Sequence, residues 1–416
     1  MTNSATHWTL DHIREMDARD PLADRRDLFA VPENLIYLDG NSLGALPRAT
    51  PGRIAEVIEK EWGEGLIRSW NQADWINLPA RVGAMIAPLI GAETWEVVAA
   101  DSTSVNLFKM VAAACAMRPG RRKIITETGN FPTDLYVMQG LESLLDGVEL
   151  VRVGADEIFE TLDEDTAVLS LTHVNYRDGT IHDMAALTKR AQAMGALTVW
   201  DLSHTAGAMP VDLNDAGADF AVGCGYKYLN GGPGAPAFLF VADRHQEEID
   251  PPLSGWMGHA RPFDFAAEYE PAEGIARNLC GTPAILGLAA LEAGLETFSG
   301  VDMDAVRVKS MALGDLFIDL VEQMCGDHNF TLACGRDCEK RGSQVSLHHA
   351  DGYAIMQALI ARGIIGDFRA PDVMRFGMTP LYLRYRDIWD AVSGMAEIMD
   401  GAVWRDPAFS ERAAVT

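Results

Sequence analysis

Leu197-Thr198-Val199-Trp200-Asp201-Leu202-Ser203-His204 is a largely apolar run with an acid near its end. A strand with one face in water alternates apolar and polar residues; this run does not, so both of its faces are covered. A second such run, Phe220–Gly223, leads into Gly223-Cys224-Gly225-Tyr226-Lys227-Tyr228-Leu229-Asn230-Gly231-Gly232-Pro233-Gly234. Working outward, β-rich runs recur at 97–100, 123–126, 148–153, 167–171 and 237–241. Helical patterns fill 103–117, 132–145 and 183–194 between them. The pattern predicts an α/β fold: a mostly parallel seven-stranded sheet with helices on both faces. Ligands of such sheets bind at the carboxyl ends of the strands. Asp201 and Lys227 both fall at or near that end.

The flanks read differently. Residues 9–30 are charged and helical in pattern, and 34–44 form a short strand running into a Gly/Asn turn. Helical patterns follow at 48–63 and 78–90. Past 285 come helices at 283–298 and 304–326, strands at 330–333 and 344–348, and helices at 351–362 and 386–400. The expected division is an N-terminal helical segment, 1–64, packing with a small domain; a large domain, 65–285; and a small C-terminal α+β domain, 286–416.

The 416 residues suffice for two domains with a large core. A formal net charge of −26 argues against nucleic acid and anionic membrane surfaces as partners. No segment is long and apolar enough to span a membrane. Residues 1–17 carry acids and no long apolar run, unlike a signal peptide. The six cysteines form no dense framework. Cys334 and Cys338 could meet on a helix, but nothing nearby completes a metal site, so none is expected. Reduced thiols in a cytoplasmic protein are the simpler account.

The chemistry gathers around Lys227. Of the seven lysines, it alone lies between aromatics and glycines after a buried strand; most of the others sit among charges or on exposed helix faces. A snorkelling strand-end lysine is the plain alternative. For Asp201 it is a cap on the segment that follows. Paired across one strand, they are what pyridoxal phosphate needs: an amine for the Schiff base and a carboxylate for the pyridine nitrogen. Asp101-Ser102-Thr103-Ser104 ends one strand and opens a helix, where Ser102 and Thr103 suit phosphate oxygens. An N-cap with no ligand is the alternative. Tyr226 and the helix dipole stand in for a missing basic residue. Phe131 starts a helix after a strand and suits stacking on a flat ring, or belongs to the core. Asp134 either hydrogen-bonds near that ring or sits in the helix's first turn. Arg375, between apolar residues, suits a substrate carboxylate.

These residues stand in strings that run nearly end to end: Tyr37-Leu-Asp-Gly-Asn-Ser-Leu-Gly44, Gly65-Leu-Ile-Arg-Ser-Trp-Asn71, Phe131-Pro-Thr-Asp134, Trp200-Asp-Leu-Ser-His204, Tyr226-Lys-Tyr-Leu-Asn-Gly-Gly-Pro-Gly234, Leu253-Ser-Gly-Trp256 and Met374-Arg-Phe-Gly-Met-Thr-Pro380. In them the chain resembles the class V branch of the aspartate aminotransferase superfamily, and within it the kynureninases. Cysteine desulfurases, the nearest relatives, carry Gln where this chain has His204.

The resemblance implies the pyridoxal-phosphate-dependent fold type I and a homodimer with shared active sites. It implies hydrolysis of L-kynurenine to anthranilate and L-alanine in tryptophan catabolism, with 3-hydroxykynurenine the poorer substrate. Lys227 would form the Schiff base, Asp201 pair with the ring nitrogen, and Phe131 stack on the ring. Ser102, Thr103 and Tyr226 would bind phosphate, with Trp256 and Thr282 reaching it from the partner subunit. Pro132, Thr133, Asp134, Thr172 and His204 would complete the cofactor contacts. Arg375 would take the α-carboxylate; Trp70, Gly281 and Asn41 would face the substrate. Tyr226 would donate a proton late in the reaction.

Overall fold

The computed structural model describes residues 7–412, so the first six residues of the N-terminal reading lie outside it. The chain divides into two compact units. The larger holds Ala49–Tyr176 and Ile181–Glu296; the smaller holds the residues through Arg48, Arg177–Thr180, and those from Thr297 on.

The larger unit is built on seven strands: β1 (Val97–Ala99), β2 (Lys123–Glu127), β3 (Glu149–Val153), β4 (Thr166–Thr172), β5 (Leu197–Asp201), β6 (Phe220–Gly223) and β7 (Phe238–Val241). Their order across the sheet is β1-β7-β6-β5-β4-β2-β3. Only β7 runs against its neighbours; the other pairings are parallel. Every residue of β4 to β7 is buried, as two covered faces require.

Three helices of ten residues or more connect these strands, with a short one at Ile158–Thr161. In α1 (Thr103–Ala116), the Ser102 hydroxyl accepts from the backbone N–H of Val105 at 3.4 Å. In α2 (Pro132–Leu144), a proline opens the first turn, where its missing N–H costs nothing. In α3 (Met184–Ala193), the Asp183 carboxylate accepts from Ala186 N at 2.9 Å. Met110, Val111 and Ala114 of α1 join Val168, Val199, Phe220 and Val222 of the sheet in one apolar core. Parallel register brings the carboxyl ends of β4, β5 and β6 to a common rim: Thr172 lies opposite Asp201, and Asp201 opposite Val222.

The units part at 48/49 and 296/297, where sequence reading expects 64/65 and 285/286. Helices Thr50–Glu56, Leu78–Ile86 and Ile285–Leu295 pack together within the larger unit. Glu292 holds them by accepting ion pairs from Arg81 at 2.6 Å and Arg53 at 3.6 Å. The helical run expected over 48–63 is an α-helix only as far as Glu56. From Val57 to Gly65 it winds as a π-helix.

The smaller unit holds an antiparallel sheet in the order Asp367–Arg369, Val373–Gly377, Gln344–His348, Thr331–Leu332. Ile36–Tyr37 pairs in parallel with Ile364–Ile365. The strands after residue 363 are not among those expected from sequence. Helix Leu10–Ala18 lies on helix Tyr385–Asp400 and caps it. The Asp17 carboxylate accepts from the N–H groups of Tyr385 and Arg386 at 2.8 and 3.1 Å. Cys334 sits in a bend after its strand, so it does not share a helix with Cys338. Among the described residues, no three His, Cys, Asp or Glu group as metal ligands, and no helix is long and apolar enough to cross a membrane.

Candidate active site

At the rim of β4, β5 and β6 the larger unit encloses a cavity of about 260 Å³. It is lined by residues following four strands: Thr103 and Ser104 after β1; Phe131, Thr133 and Asp134 after β2; Thr172 and Tyr176 from β4; and Asp201, Ser203 and His204 from β5. Tyr226 and Lys227 close it after β6. Lys227 Nζ lies 3.0 Å from His204 Nε2, within hydrogen-bond reach. The same amine stands 5.8 Å from the ring centres of Phe131 and Tyr226. Phe131 is 37% exposed, an aromatic face offered to the cavity mouth and braced edge-on by Tyr176 at 5.1 Å.

Two buried carboxylates lie on the floor. Asp201 accepts from the backbone N–H and the hydroxyl of Ser203 at 2.8 and 2.6 Å. Burial pushes its carboxyl up; the Ser203 donors and the Lys227 charge oppose that only in part. Asp134, which accepts from the Thr172 hydroxyl at 3.3 Å, is pushed well above the ordinary carboxylate range, first by burial and then by the charge on Asp201. A proton kept on Asp134 lets Asp201 hold its charge. Asp201 forms no direct ion pair among the described residues, so a cationic ring nitrogen would complete it. Burial also pushes the Tyr226 hydroxyl above its ordinary range, keeping it a proton donor. Amine, buried acid, flat aromatic face and hydroxyls at a helix N-terminus together fit a pyridine aldehyde carrying a phosphate.

The chain is 53% identical to a kynureninase from Pseudomonas fluorescens over 407 residues, covering 96% of this chain and 98% of that one. It belongs to the kynureninase family. A kynureninase from Burkholderia pseudomallei (strain 1106a) is 52% identical over 414 residues, covering 98% of this chain and all of the relative. The family model for the kynureninase C-terminal domain matches residues 306–395. Among solved structures, a cysteine desulfurase from Thermococcus onnurineus NA1 superposes with a TM-score of 0.76 at 20% identity, covering 95% of this chain and 100% of that one. One from Escherichia coli gives 0.75 at 20% identity, over 92% and 98%. These likenesses show the shared fold type I architecture.

Not every expected kynureninase site residue lines this cavity. Ser102 caps α1 and is exposed, and Ser104 takes its place in the lining. Pro132 serves as the first residue of α2. Trp70, Trp256, Gly281 and Thr282 are not lining residues either. Trp70 instead meets Trp256 edge-on at 6.2 Å, and Trp256 lines a separate groove with Gly255, His259 and Tyr269. Ser104, Tyr176 and Ser203 are lining residues that sequence reading did not select. Ser104 and Ser203 stood inside quoted motifs; Tyr176, four residues past β4, carried no signal.

Arg375 and Asn41 belong to the smaller unit. Arg375 is buried in strand Val373–Gly377. Its guanidinium donates to Asp367 Oδ1 at 2.7 Å, to Asp367 Oδ2, and to the Ser42 hydroxyl at 3.0 Å. Burial pushes the Asp367 carboxyl up, but Arg375 and Arg369 outweigh it and hold the group below its usual range. Asp39 beside it is pushed up to about 7 by burial and the Asp367 charge. Asn41 is fully buried, and neither side-chain polar atom has a hydrogen-bond partner among the described residues.

Proposed function

We propose that this chain hydrolyses the Cβ–Cγ bond of L-kynurenine to anthranilate and L-alanine, with pyridoxal 5′-phosphate in the Lys227 cavity. The observation that carries this reading is the convergence of Lys227, His204, Asp201 and Thr103 on one enclosed rim in a member of the kynureninase family. The cofactor supplies an electron sink at the substrate's α-carbon. Lys227 would anchor it, Asp201 would pair with its ring nitrogen, Phe131 would stack on its ring, and Thr103, Ser104 and Tyr226 would hold its phosphate.

Cleavage asks for a proton removed at Cα, a water added at the γ-carbonyl and a proton delivered to Cβ. Lys227 Nζ handles the first, with His204 Nε2 as its proton partner. Tyr226 delivers the last; its hydroxyl stays protonated through neutral pH because burial disfavours the phenolate. Arg375 takes the α-carboxylate, sharing its fork with Asp367, and the orphaned amide of Asn41 adds a substrate contact.

The active unit is a homodimer. Trp256 and Thr282 serve the partner's phosphate, while Trp70 and Gly281 shape an aryl pocket. The exposed apolar side chains of Ile58, Trp62, Leu66 and Ile67 support this. Trp70 and Gly281 carry no side-chain acceptor for a phenolic proton, so L-kynurenine is preferred over 3-hydroxykynurenine; a higher kcat/KM for the 3-hydroxy substrate contradicts that. The role in the cell is tryptophan catabolism in the cytoplasm. Anthranilate fluorescence from purified protein given L-kynurenine and cofactor tests the reaction. No signal from protein that has turned yellow with bound cofactor moves the substrate to another amino acid.

A further inference from the structure

The phosphate cup of the proposed site has no arginine or lysine in its lining except the Schiff-base lysine itself. A cation is nonetheless buried beneath it. Lys109, a lysine to which the sequence alone assigns no role, is 0% exposed. It sits in α1, between Phe108 and Met110 on a helix whose residues 109–114 are all buried. Its ammonium donates to Asp101 Oδ2 at 2.8 Å and to the carbonyl of Asn278 at 2.8 Å. Asp101 belongs to the turn that carries Thr103 and Ser104. It takes a left-handed backbone, φ 51°, rare for a residue other than glycine. That turn is also pinned by its own carbonyl, which accepts from Ala237 N at 3.0 Å. The thiol of Cys280, next to Gly281 and Thr282, lies 3.6 Å from the same carboxylate.

A carboxylate at the start of an anion-binding turn opposes the anion unless its charge is cancelled. Here the cancelling charge comes from inside the helix, from an ammonium that is itself fully buried although the Asp101 side chain is 25% exposed. We infer that Lys109 is a positioning residue for cofactor phosphate: it neutralises Asp101, fixes the 101–104 turn in its left-handed start, and ties that turn to the 278–282 segment. This rests on the reading of Thr103 and Ser104 as the phosphate cup. The role explains how a cup lined by hydroxyls and amides, in a chain of net charge −26, retains a dianion.

The test compares two probes that differ only in the phosphate: pyridoxal 5′-phosphate and pyridoxal. Both react with Lys227 and are followed by the visible absorbance of the lysine-bound ring, independent of turnover. The quantity read is the preference, the ratio of the two dissociation constants, for the full-length protein. Lys109→Met leaves Asp101 unpaired and is expected to lower the preference on the order of tenfold, as one unit of like charge at close range does. Asp101→Asn tolerates the left-handed backbone, leaves Lys109 charged beneath the cup, and is expected to raise it. The double variant is expected to return near the wild-type ratio. Equal weakening of both probes in Lys109→Met, or no recovery in the double variant, overturns the inference. Should Lys109→Met fail to fold, Asp101→Asn decides: an unchanged or lower preference overturns it. Thr103→Val separates the two readings. An unchanged preference there removes the cup; a fall there with none in Lys109→Met removes only the role of Lys109.

Discussion

Asp201→Asn changes one charge and keeps the shape. The asparagine carbonyl oxygen retains both bonds that Ser203 donates, at 2.8 and 2.6 Å. The residue is 4% exposed, and burial already penalises its charge, so the variant folds with a thermal midpoint equal to or above wild type. What disappears is the anion proposed to pair with the cofactor's ring nitrogen. Two unit charges about 4 Å apart are worth about 4 kcal/mol at an effective dielectric of about 20. At about 1.4 kcal/mol per tenfold, kcat/KM for L-kynurenine should fall about 10³-fold. The assay is the initial rate of anthranilate fluorescence at saturating cofactor, with bound cofactor counted by absorbance. A loss smaller than about tenfold, with the protein fully loaded, refutes the role given to Asp201.

Three further expectations follow from the same geometry. Asp39 is raised to about 7 in the folded state from an ordinary 3.8, so its contribution to stability is full below pH 4 and is lost as pH rises through 7. Asp39→Asn should therefore gain urea resistance relative to wild type, on the order of a few kcal/mol, between pH 5 and 8. A constant difference across that range contradicts the assignment. Lys309 and Asp20, 3% and 2% exposed, pair at 2.6 Å, and Lys309→Met strands a buried carboxylate. It should cost about 3–5 kcal/mol in urea unfolding, and a loss under about 1 kcal/mol would show the pair to be dispensable. Ile67, 77% exposed, belongs to the apolar patch given to the second subunit. Ile67→Asp should shift the protein to monomer by sedimentation and lower activity in step, whereas an unchanged dimer places the interface elsewhere.

The larger unit was legible because its strands are covered on both faces and read as apolar runs. β5 and β6 therefore announce themselves, and the residues at their ends, Asp201 and Lys227, are found by position alone. The smaller unit hides its strands. Ile364–Ile365 and Asp367–Arg369 are too short to show a period, and the burial of Asp367 depends on Arg375, eight residues on, together with Arg369 and Ser42. Lys109 carries a readable signal, a lone charge in the apolar run Phe-Lys-Met-Val, but its second partner, the carbonyl of Asn278, is far along the chain and no local pattern reveals it. The division at 48/49 turns on Arg53, Arg81 and Glu292, a convergence of three helices that no local pattern reveals.

Product stoichiometry tests the central claim most directly. Purified protein given L-kynurenine and pyridoxal 5′-phosphate should release anthranilate and L-alanine in equal amounts, and Lys227→Ala should release neither while keeping the wild-type fold by circular dichroism. Anthranilate without matching alanine, or substantial turnover by Lys227→Ala, would contradict hydrolysis of the Cβ–Cγ bond at this cavity.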